Sequence, residues 1–319
     1  MKKTALYLSF FLLFSVTAFA QQLPYFTQYR SNIYMLNPAI SGTKRLIDAR
    51  LNYRAQWVGY DDAPRTADFS LNSRFMKGKM GAGIYVMQDN IGPSKQTNLG
   101  ASYAYHIRFP DVELSAGIAG NFTKYTLVGD KIFLHNSQDP AIDQNISNST
   151  WVPDATAGLY LYNDRFSVGI SALHMFESTA EFYKKDTTKK GLIKYADHVN
   201  FVLGYNYSQN PDWIFESNLY GIYVSGTPFN LDYTLRVHYK QQIFGGISLR
   251  LRDAVALQAG VTFMEDFQIS YSYDFLIGKI GNYSSGTHEI MLIYSSNVFK
   301  TKHGRVSDKF LHQRYGYLF

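Results

Sequence analysis

The sequence predicts an all-β fold, a transmembrane outer-membrane β-barrel of about 14 antiparallel strands. Apolar and polar residues alternate with a period of two through most of the chain beyond residue 44, and this alternation is the primary signal of β-strands. Most alternating segments are ~9–13 residues long, as a tilted strand crossing a bilayer requires, whereas globular strands average nearer ~5–6 residues. The connections alternate between short turns and longer loops, which is the pattern of outer-membrane barrels.

The first part of the chain, residues 1–20, is predicted to be a secretory signal peptide. It begins with a positively charged region that contains two lysines, continues with an apolar core over 5–16 and ends with a small-x-small cleavage pattern, Ala-Phe-Ala, at 18–20. We expect the mature chain to start at Gln21 and residues 21–44 to form a periplasmic N-terminal segment ahead of the barrel.

Fourteen alternating segments follow. In the first of them, Leu51 and Tyr53 belong to the apolar face, and Asn52 and Arg54 belong to the polar face. The predicted strands fall near 45–57, 66–76, 80–89, 97–109, 112–125, 154–162, 166–175, 197–207, 213–224, 230–240, 242–251, 254–263, 267–275 and 287–298.

The connections differ in length according to the parity of the strand that precedes them. Short turns follow even-numbered strands, and the longest loops follow odd-numbered strands, at 126–153, 176–196 and 276–286. Because outer-membrane barrels have short periplasmic turns and longer outer loops, both ends of the barrel region 45–298 are expected in the periplasm. A basic C-terminal tail, 299–319, is expected there as well.

Composition narrows the class of protein. The chain has 26 Tyr, 23 Phe and 24 Gly, which is a β-rich composition. It has no cysteine, so neither a disulfide scaffold nor an acylated N-terminal cysteine is expected. Beyond the leader no run of ~18 apolar residues occurs, which excludes helical membrane spans. The net charge of +6 is scattered along an exported chain, so no nucleic-acid partner is expected.

A secreted β-sandwich would also show alternation, but three features favour the barrel. The segments are long, their polar faces carry rows of charges, and their apolar faces begin or end with aromatic residues, as interfacial girdles do. On this interpretation Trp57 lies on the lipid face at a strand end, with its ring in the interface and its N–H toward water. Arg54 and Asp68 face the lumen from adjacent strands, where they could pair, and residues 59–64 form the first extracellular loop.

Three stretches of the mature chain carry a recognisable pattern: "QYRSNIYMLNPAISGT" (28–43), "YRAQWVGYDDAPRTADFS" (53–70) and "GNYSSGTHEIMLIYS" (281–295). They resemble the recurring blocks of the PorP/SprF family of type IX secretion proteins, and their order and spacing match that family over nearly the whole mature chain. Thr287 stands where Ser is commoner in the family.

The resemblance implies an outer-membrane barrel of Bacteroidetes-type bacteria that works with the type IX secretion apparatus. It implies two kinds of partner besides the lipid bilayer: the C-terminal domain of a large secreted adhesin, which some members link to gliding motility, and periplasmic or outer-membrane components of the secretion system. The block residues expected to bind a partner are Asn37, Pro38, Arg54, Gln56, Trp57, Gly59, Pro64 and Asp68.

The sequence lacks the common motifs of catalysis. The sequence contains no GxSxG elbow, HExxH helix or Walker loop. His106 and His238 fall on polar strand faces, and Asp139 and Asp143 lie in a loop whose spacing fails the EF-hand pattern. We therefore expect a non-enzymatic protein with no catalytic residues, metal or cofactor.

Two further functions remain open on the sequence. A diffusion channel for small solutes is the main alternative, because fourteen strands enclose a substantial lumen, although inward charges of both signs could close it. An outer-membrane enzyme that uses an inward His or Ser is the other.

Overall fold

The structure, a computed structural model, describes residues 24–44, 47–132, 148–176, 178–182, 191–210, 212–225, 227–264 and 266–296. This part of the chain forms a closed antiparallel barrel of 14 strands, so the predicted fold class is confirmed. Neighbouring barrel strands are consecutive along the chain, apart from one inserted hairpin, and the first strand pairs with the last.

The strands lie within a few residues of the predicted positions, except that β6 begins six residues earlier, at Asn148. They are β1 (Ile47–Ala55), β2 (Arg65–Phe75), β3 (Met80–Ile91), β4 (Ser94–Arg108), β5 (Glu113–Leu127), β6 (Asn148–Tyr162), β7 (Phe166–Leu173), β10 (His198–Asn210), β11 (Trp213–Val224), β12 (Asn230–Tyr239), β13 (Ile243–Arg250), β14 (Ala254–Phe263), β15 (Phe267–Leu276) and β16 (Thr287–Ser296), with the hairpin strands β8 (Thr179–Phe182) and β9 (Gly191–Lys194) between β7 and β10.

Successive residues of each barrel strand alternate between the outer surface of the barrel and its lumen, as the sequence pattern predicts. Leu51 and Tyr53 of β1 point outward and are about half exposed, whereas Asn52 and Arg54 point inward and are buried. An apolar outer surface suits lipid, and closure leaves no unpaired strand edge in the hydrocarbon region.

The hairpin β8–β9 is an element that the alternation did not predict. Its two strands pair only with each other, within the expected outer loop 176–196. They are four residues each, too short for the period-two pattern to stand out. Short 3-10 helices also occur, at Met76–Gly78, Gly129–Lys131 and Lys279–Tyr283.

The N-terminal segment, residues 24–44 as described by the structure, lies inside the barrel. It contains two 3-10 helices, Tyr29–Met35 and Pro38–Ile40, and the side chain of Asn37 caps the second by accepting a hydrogen bond from the Ala39 N–H. Its apolar side chains pack against inward-facing wall residues in one buried cluster. The expectation of a periplasmic segment is therefore wrong for residues 24–44.

The two ends of this segment reach opposite ends of the barrel. Thr27 contacts Asp274 and Glu289, close to the end that carries the long loops. Gly42 lies against Arg74 and Gly81, close to the end that carries the short turns. The chain therefore crosses the lumen from the long-loop end to the short-turn end before it enters β1.

Several predictions fall on residues outside the described ranges. These are the signal peptide, the C-terminal tail 299–319, and Asp139 and Asp143 of the loop after β5. Within the described ranges, no helix combines the length and the apolarity that a membrane span needs.

Candidate functional site

The barrel closes where β1 pairs with β16, and a buried ion network occupies the lumen side of this closure. Arg54 lies opposite Glu289 in the strand register. Its Nη1 donates to Glu289 Oε2 at 2.8 Å, and its Nη2 donates to Asp274 Oδ2 at 2.9 Å. All three side chains are about 1 % exposed or less. A guanidinium suits this position because it can serve two carboxylates in fixed directions.

The N-terminal segment is bound directly to the same network. The Thr27 N–H donates to Glu289 at 2.9 Å, and the Thr27 hydroxyl donates to Asp274 at 2.7 Å. Gln28 donates from its backbone N–H to the Glu289 carboxylate and from Nε2 to the Glu289 carbonyl. Arg250 of β13 donates to the Thr27 hydroxyl oxygen at 3.0 Å. The segment therefore completes a network that the wall strands alone leave unfilled.

Asp68 lies inside the lumen as predicted, but it does not pair with Arg54. It faces Asn52 across the β1–β2 ladder, while Arg54 faces Thr66. Its carboxylate accepts hydrogen bonds from Asn52 Nδ2 at 3.0 Å and from Asn32 Nδ2 at 3.1 Å. The predicted Arg54–Asp68 pair is corrected on this ground: the register separates the two, and the segment supplies a partner for Asp68 instead.

A second set of contacts holds the middle of the segment. Arg30 forms a buried ion pair with Glu216 of β11, and Glu216 also contacts His238 Nε2 at 3.0 Å. The Ser31 carbonyl accepts from Arg50, and the Ser31 hydroxyl accepts from Arg236 at 3.0 Å. Charges that the sequence places in rows on the polar faces therefore bind the segment and do not line open water.

Glycines on the inner face of the barrel wall leave space for the part of the segment that contains Asn37 and Ala39. A Cβ added at Gly117 or Gly158 would come within 3.0 Å of Ala39 or Asn37, respectively, closer than real Cβ contacts. Asn37 also donates from Nδ2 to the carbonyls of Leu159 and Ile170, at 3.0 and 3.1 Å. Two of the predicted binding residues, Asn37 and Pro38, are thus buried deep in the lumen.

At the long-loop end the first outer loop, 56–64, is joined to the last outer loop, 277–286. The Val58 N–H donates to the Gly286 carbonyl at 2.8 Å, and the Ser285 N–H donates back to the Val58 carbonyl at 2.7 Å. These bonds extend the β1–β16 ladder beyond the strands. Gly59 and Gly286 have φ of +94° and +91°, a region that favours glycine.

Trp57 does not occupy the predicted place. It lies beyond the end of β1 with φ of +50°, and its backbone N–H donates to the Thr287 hydroxyl at 3.1 Å. The indole Nε1 is buried with no hydrogen-bond partner among the described residues, so it does not face water. Trp57 is a half-buried part of the loop junction. Tyr60 and Tyr283, at 53 % and 74 % exposed, are the aromatic side chains that this pair of loops presents.

The structure therefore divides the predicted residues into two groups. Gln56, Trp57, Gly59 and Pro64 belong to the first outer loop at the long-loop end, with Arg54 directly beneath them. Asp68, Asn37 and Pro38 lie deeper inside. Sequence reasoning missed Thr27, Asp274 and Glu289. The signal available for the two carboxylates was weak, namely their positions on the polar faces of β15 and β16.

Residues 18–294 match a protein family described as "Type IX secretion system membrane protein PorP/SprF". No curated protein matches the sequence. Among solved structures, the "CymD monoaromatic hydrocarbon channel" is similar at 12 % identity with a TM-score of 0.52, over 83 % of this chain and 92 % of that chain. A Pseudomonas aeruginosa FadL homologue is similar at 10 % identity with a TM-score of 0.50, over 86 % and 95 % of the two chains. At these identities the likeness shows the barrel fold alone.

Proposed function

Because the chain belongs to the PorP/SprF family of type IX secretion system membrane proteins, an outer-membrane family, we propose that it captures or anchors a large secreted surface protein without catalysis. The secreted partner docks at the long-loop end, which faces the cell exterior if the short turns face the periplasm. The domain that binds is the C-terminal domain of this secreted adhesin, a class that includes adhesins used for gliding motility.

The observation that carries this proposal is the filled lumen. Residues 24–44 cross the barrel and hold buried ion pairs and hydrogen bonds with strands around its circumference, including Arg54, Glu216 and Glu289. Removing one partner from a buried ion pair costs about 3–5 kcal/mol, so it is unfavourable for the segment to leave the lumen. A closed barrel acts through its outer surfaces, which supports protein docking over the passage of solutes.

The docking surface is formed by the first and last outer loops. Two backbone hydrogen bonds join these loops at the barrel closure, and Tyr60 and Tyr283 supply exposed aromatic rings of the kind that dominate protein interfaces. Asp61 adds exposed negative charge beside Tyr60, whereas the exposed Asp62 pairs with Lys131 at 2.7 Å. In this proposal the short-turn end and the tail 299–319 bind periplasmic or outer-membrane components of the secretion system.

Deletion of the gene tests the proposal. We expect the partner adhesin to be absent from the cell surface and to return when the intact gene is supplied. Affinity purification from the native outer membrane should recover the adhesin C-terminal domain with this protein. Normal adhesin display in the deletion strain contradicts the proposal.

The alternative function, a diffusion channel for small solutes, requires the N-terminal segment to leave the lumen. Planar-bilayer recording of the purified protein separates the two functions, because a channel gives robust open-state currents and the filled barrel does not.

A further inference from the structure

Two histidines outside the ion network lie together on the lumen wall near the long-loop end. His174 follows the last residue of β7, and His198 is the first residue of β10, so the pair stands at the two ends of the outer loop that carries the β8–β9 hairpin. Both side chains are buried, at 5 % and 3 % exposed. Their ring centroids are 5.2 Å apart, with an angle of 71° between the ring planes.

Each ring has its Nδ1 held by an oxygen that can only accept. His174 Nδ1 donates to the Asp154 carboxylate, and His198 Nδ1 donates to the Ala196 carbonyl at 2.8 Å. In the neutral form of each imidazole the proton is therefore on Nδ1, which leaves a lone pair on Nε2. Both Nε2 atoms are buried without a hydrogen-bond partner among the described residues. A buried acceptor without a donor is costly, so both Nε2 atoms are open to a ligand.

The arrangement around the rings is the one that metal-binding histidines have. Such histidines almost always donate their second nitrogen to a carboxylate, a carbonyl or water, which orients the ring. Asp154 is itself oriented, because its Oδ1 accepts from the backbone N–H groups of Ala155 and Phe176 at 2.7 and 3.3 Å. The Tyr195 ring stacks on His174 at 4.3 Å and fixes its plane.

The spacing of the rings fits a shared ion. For Zn²⁺ bound at about 2.0–2.1 Å to two Nε2 atoms at a tetrahedral angle, the ring centroids lie about 5 Å apart. The observed separation is 5.2 Å. No group of three or more His, Asp, Glu or Cys side chains forms a metal site among the described residues, so water would complete the coordination shell.

We propose that a Zn²⁺ ion binds between His174 and His198, where it adds a cross-link at the base of the outer loop whose two ends the β7–β10 ladder already joins through Leu173 and His198. The backbone of His174 agrees with such a role: its φ of +62° is uncommon for a non-glycine residue, and strained positions of this kind cluster at ligand sites.

The test uses the full chain, purified in detergent without a polyhistidine tag, stripped with chelator and titrated with ZnCl₂. We expect one Zn²⁺ per chain by elemental analysis after desalting, and a tetrahedral visible spectrum when Co²⁺ replaces Zn²⁺. Zinc should also slow proteolysis of the loop between the two histidines.

Variants assign the ion to this site. His174→Gln and His198→Gln should each abolish stoichiometric binding, Asp154→Asn should weaken it about 10–100-fold, and His288→Gln, a histidine away from the cluster, should leave it unchanged. Each variant is first shown to be folded by its heat-modifiable migration on gels. Retention of zinc by the folded His174→Gln/His198→Gln double variant overturns the proposal, as does a wild-type chain that binds no zinc.

Discussion

Arg54 shows how one residue joins three distant parts of the chain. It lies on β1, its carboxylate partners Glu289 and Asp274 lie on β16 and β15, and the Thr27 hydroxyl from the N-terminal segment accepts from its Nη1 at 3.0 Å. The three sequence blocks that mark the family therefore meet around this guanidinium, since the adjacent Gln28 also binds Glu289. The three blocks of this chain therefore form one buried network.

Arg54→Ala is expected to lower the free energy of unfolding by about 3–5 kcal/mol, because it leaves two buried carboxylates without their shared cation. Arg54→Lys should also destabilise the barrel, since an ammonium cannot reproduce the paired, fixed directions of a guanidinium. The measurement is urea unfolding of the protein folded into liposomes. The control is Arg108→Ala, whose side chain is 58 % exposed and which should change stability by less than ~1 kcal/mol. Equal effects at the two arginines would show that the network does not stabilise the fold.

At the scale of elements, the N-terminal segment and the barrel wall are fitted to each other. Wall glycines on the lumen face leave space that Asn37 and Ala39 fill, and Ser115 of β5 donates to the Ala39 carbonyl at 2.6 Å. Because of this fit, replacing a wall glycine by a larger residue tests the position of the segment.

Gly117→Leu is expected to displace the segment, because even a Cβ at this position would come within 3.0 Å of Ala39. The readout is maleimide labelling of Ala39→Cys, a position with 0 % exposure in a chain that has no native cysteine. Labelling should be slow in the parent chain and fast with Gly117→Leu. Gly120→Leu on the same strand, where an added Cβ meets nothing within 4 Å, should label as slowly as the parent. Slow labelling in both variants would contradict this placement of the segment.

A disulfide can test whether the segment moves during function. The hydroxyls of Ser41 and Ser102 are 2.7 Å apart, so Ser41→Cys with Ser102→Cys should form a disulfide between the segment and β4. Because the proposed partner docks outside the lumen, we expect normal adhesin display in oxidised cells. Loss of display that a reductant restores would show that the segment must leave its place, and Ser41→Cys alone is the control.

The pair of outer loops makes a separate prediction at this scale. Tyr60→Ala combined with Tyr283→Ala should weaken binding of the adhesin C-terminal domain about tenfold or more, as expected when exposed aromatic anchors are removed. Phe109→Ala, an aromatic residue 47 % exposed beside a short turn, is the matched control and should leave binding unchanged. Binding can be measured by surface plasmon resonance on the purified barrel, and an equal loss in the control variant would argue against docking at this end.

At the scale of the whole molecule, the barrel is a closed wall around its own N-terminal segment. We expect no stable current from the intact protein in planar bilayers. Deletion of residues 24–36 should produce steady currents, because the polar inner face then surrounds water as in porins. Currents of the same size from both proteins would show that the segment does not close the lumen.

The sequence by itself determined the class of fold and the path of the strands. Period-two alternation in long segments has one stable solution in lipid, a closed barrel, because every backbone polar group must find a partner within the wall. It also indicated which side chains face inward, since Arg54 and Asp68 both point into the lumen. The second family block also indicated the first outer loop as a candidate binding region.

Only the tertiary structure decided what the inward side chains touch. Alternation distinguishes two faces but not what lies against them, so residues 24–44, which lack a strand pattern, could not be placed in the lumen from the sequence. The register likewise assigns Arg54 to Glu289 and Asp68 to Asn52, because cross-strand partners depend on pairing between strands far apart in the chain. The fold follows from local periodicity, whereas the closed lumen, the joined outer loops and the histidine pair follow from contacts that closure of the barrel alone creates.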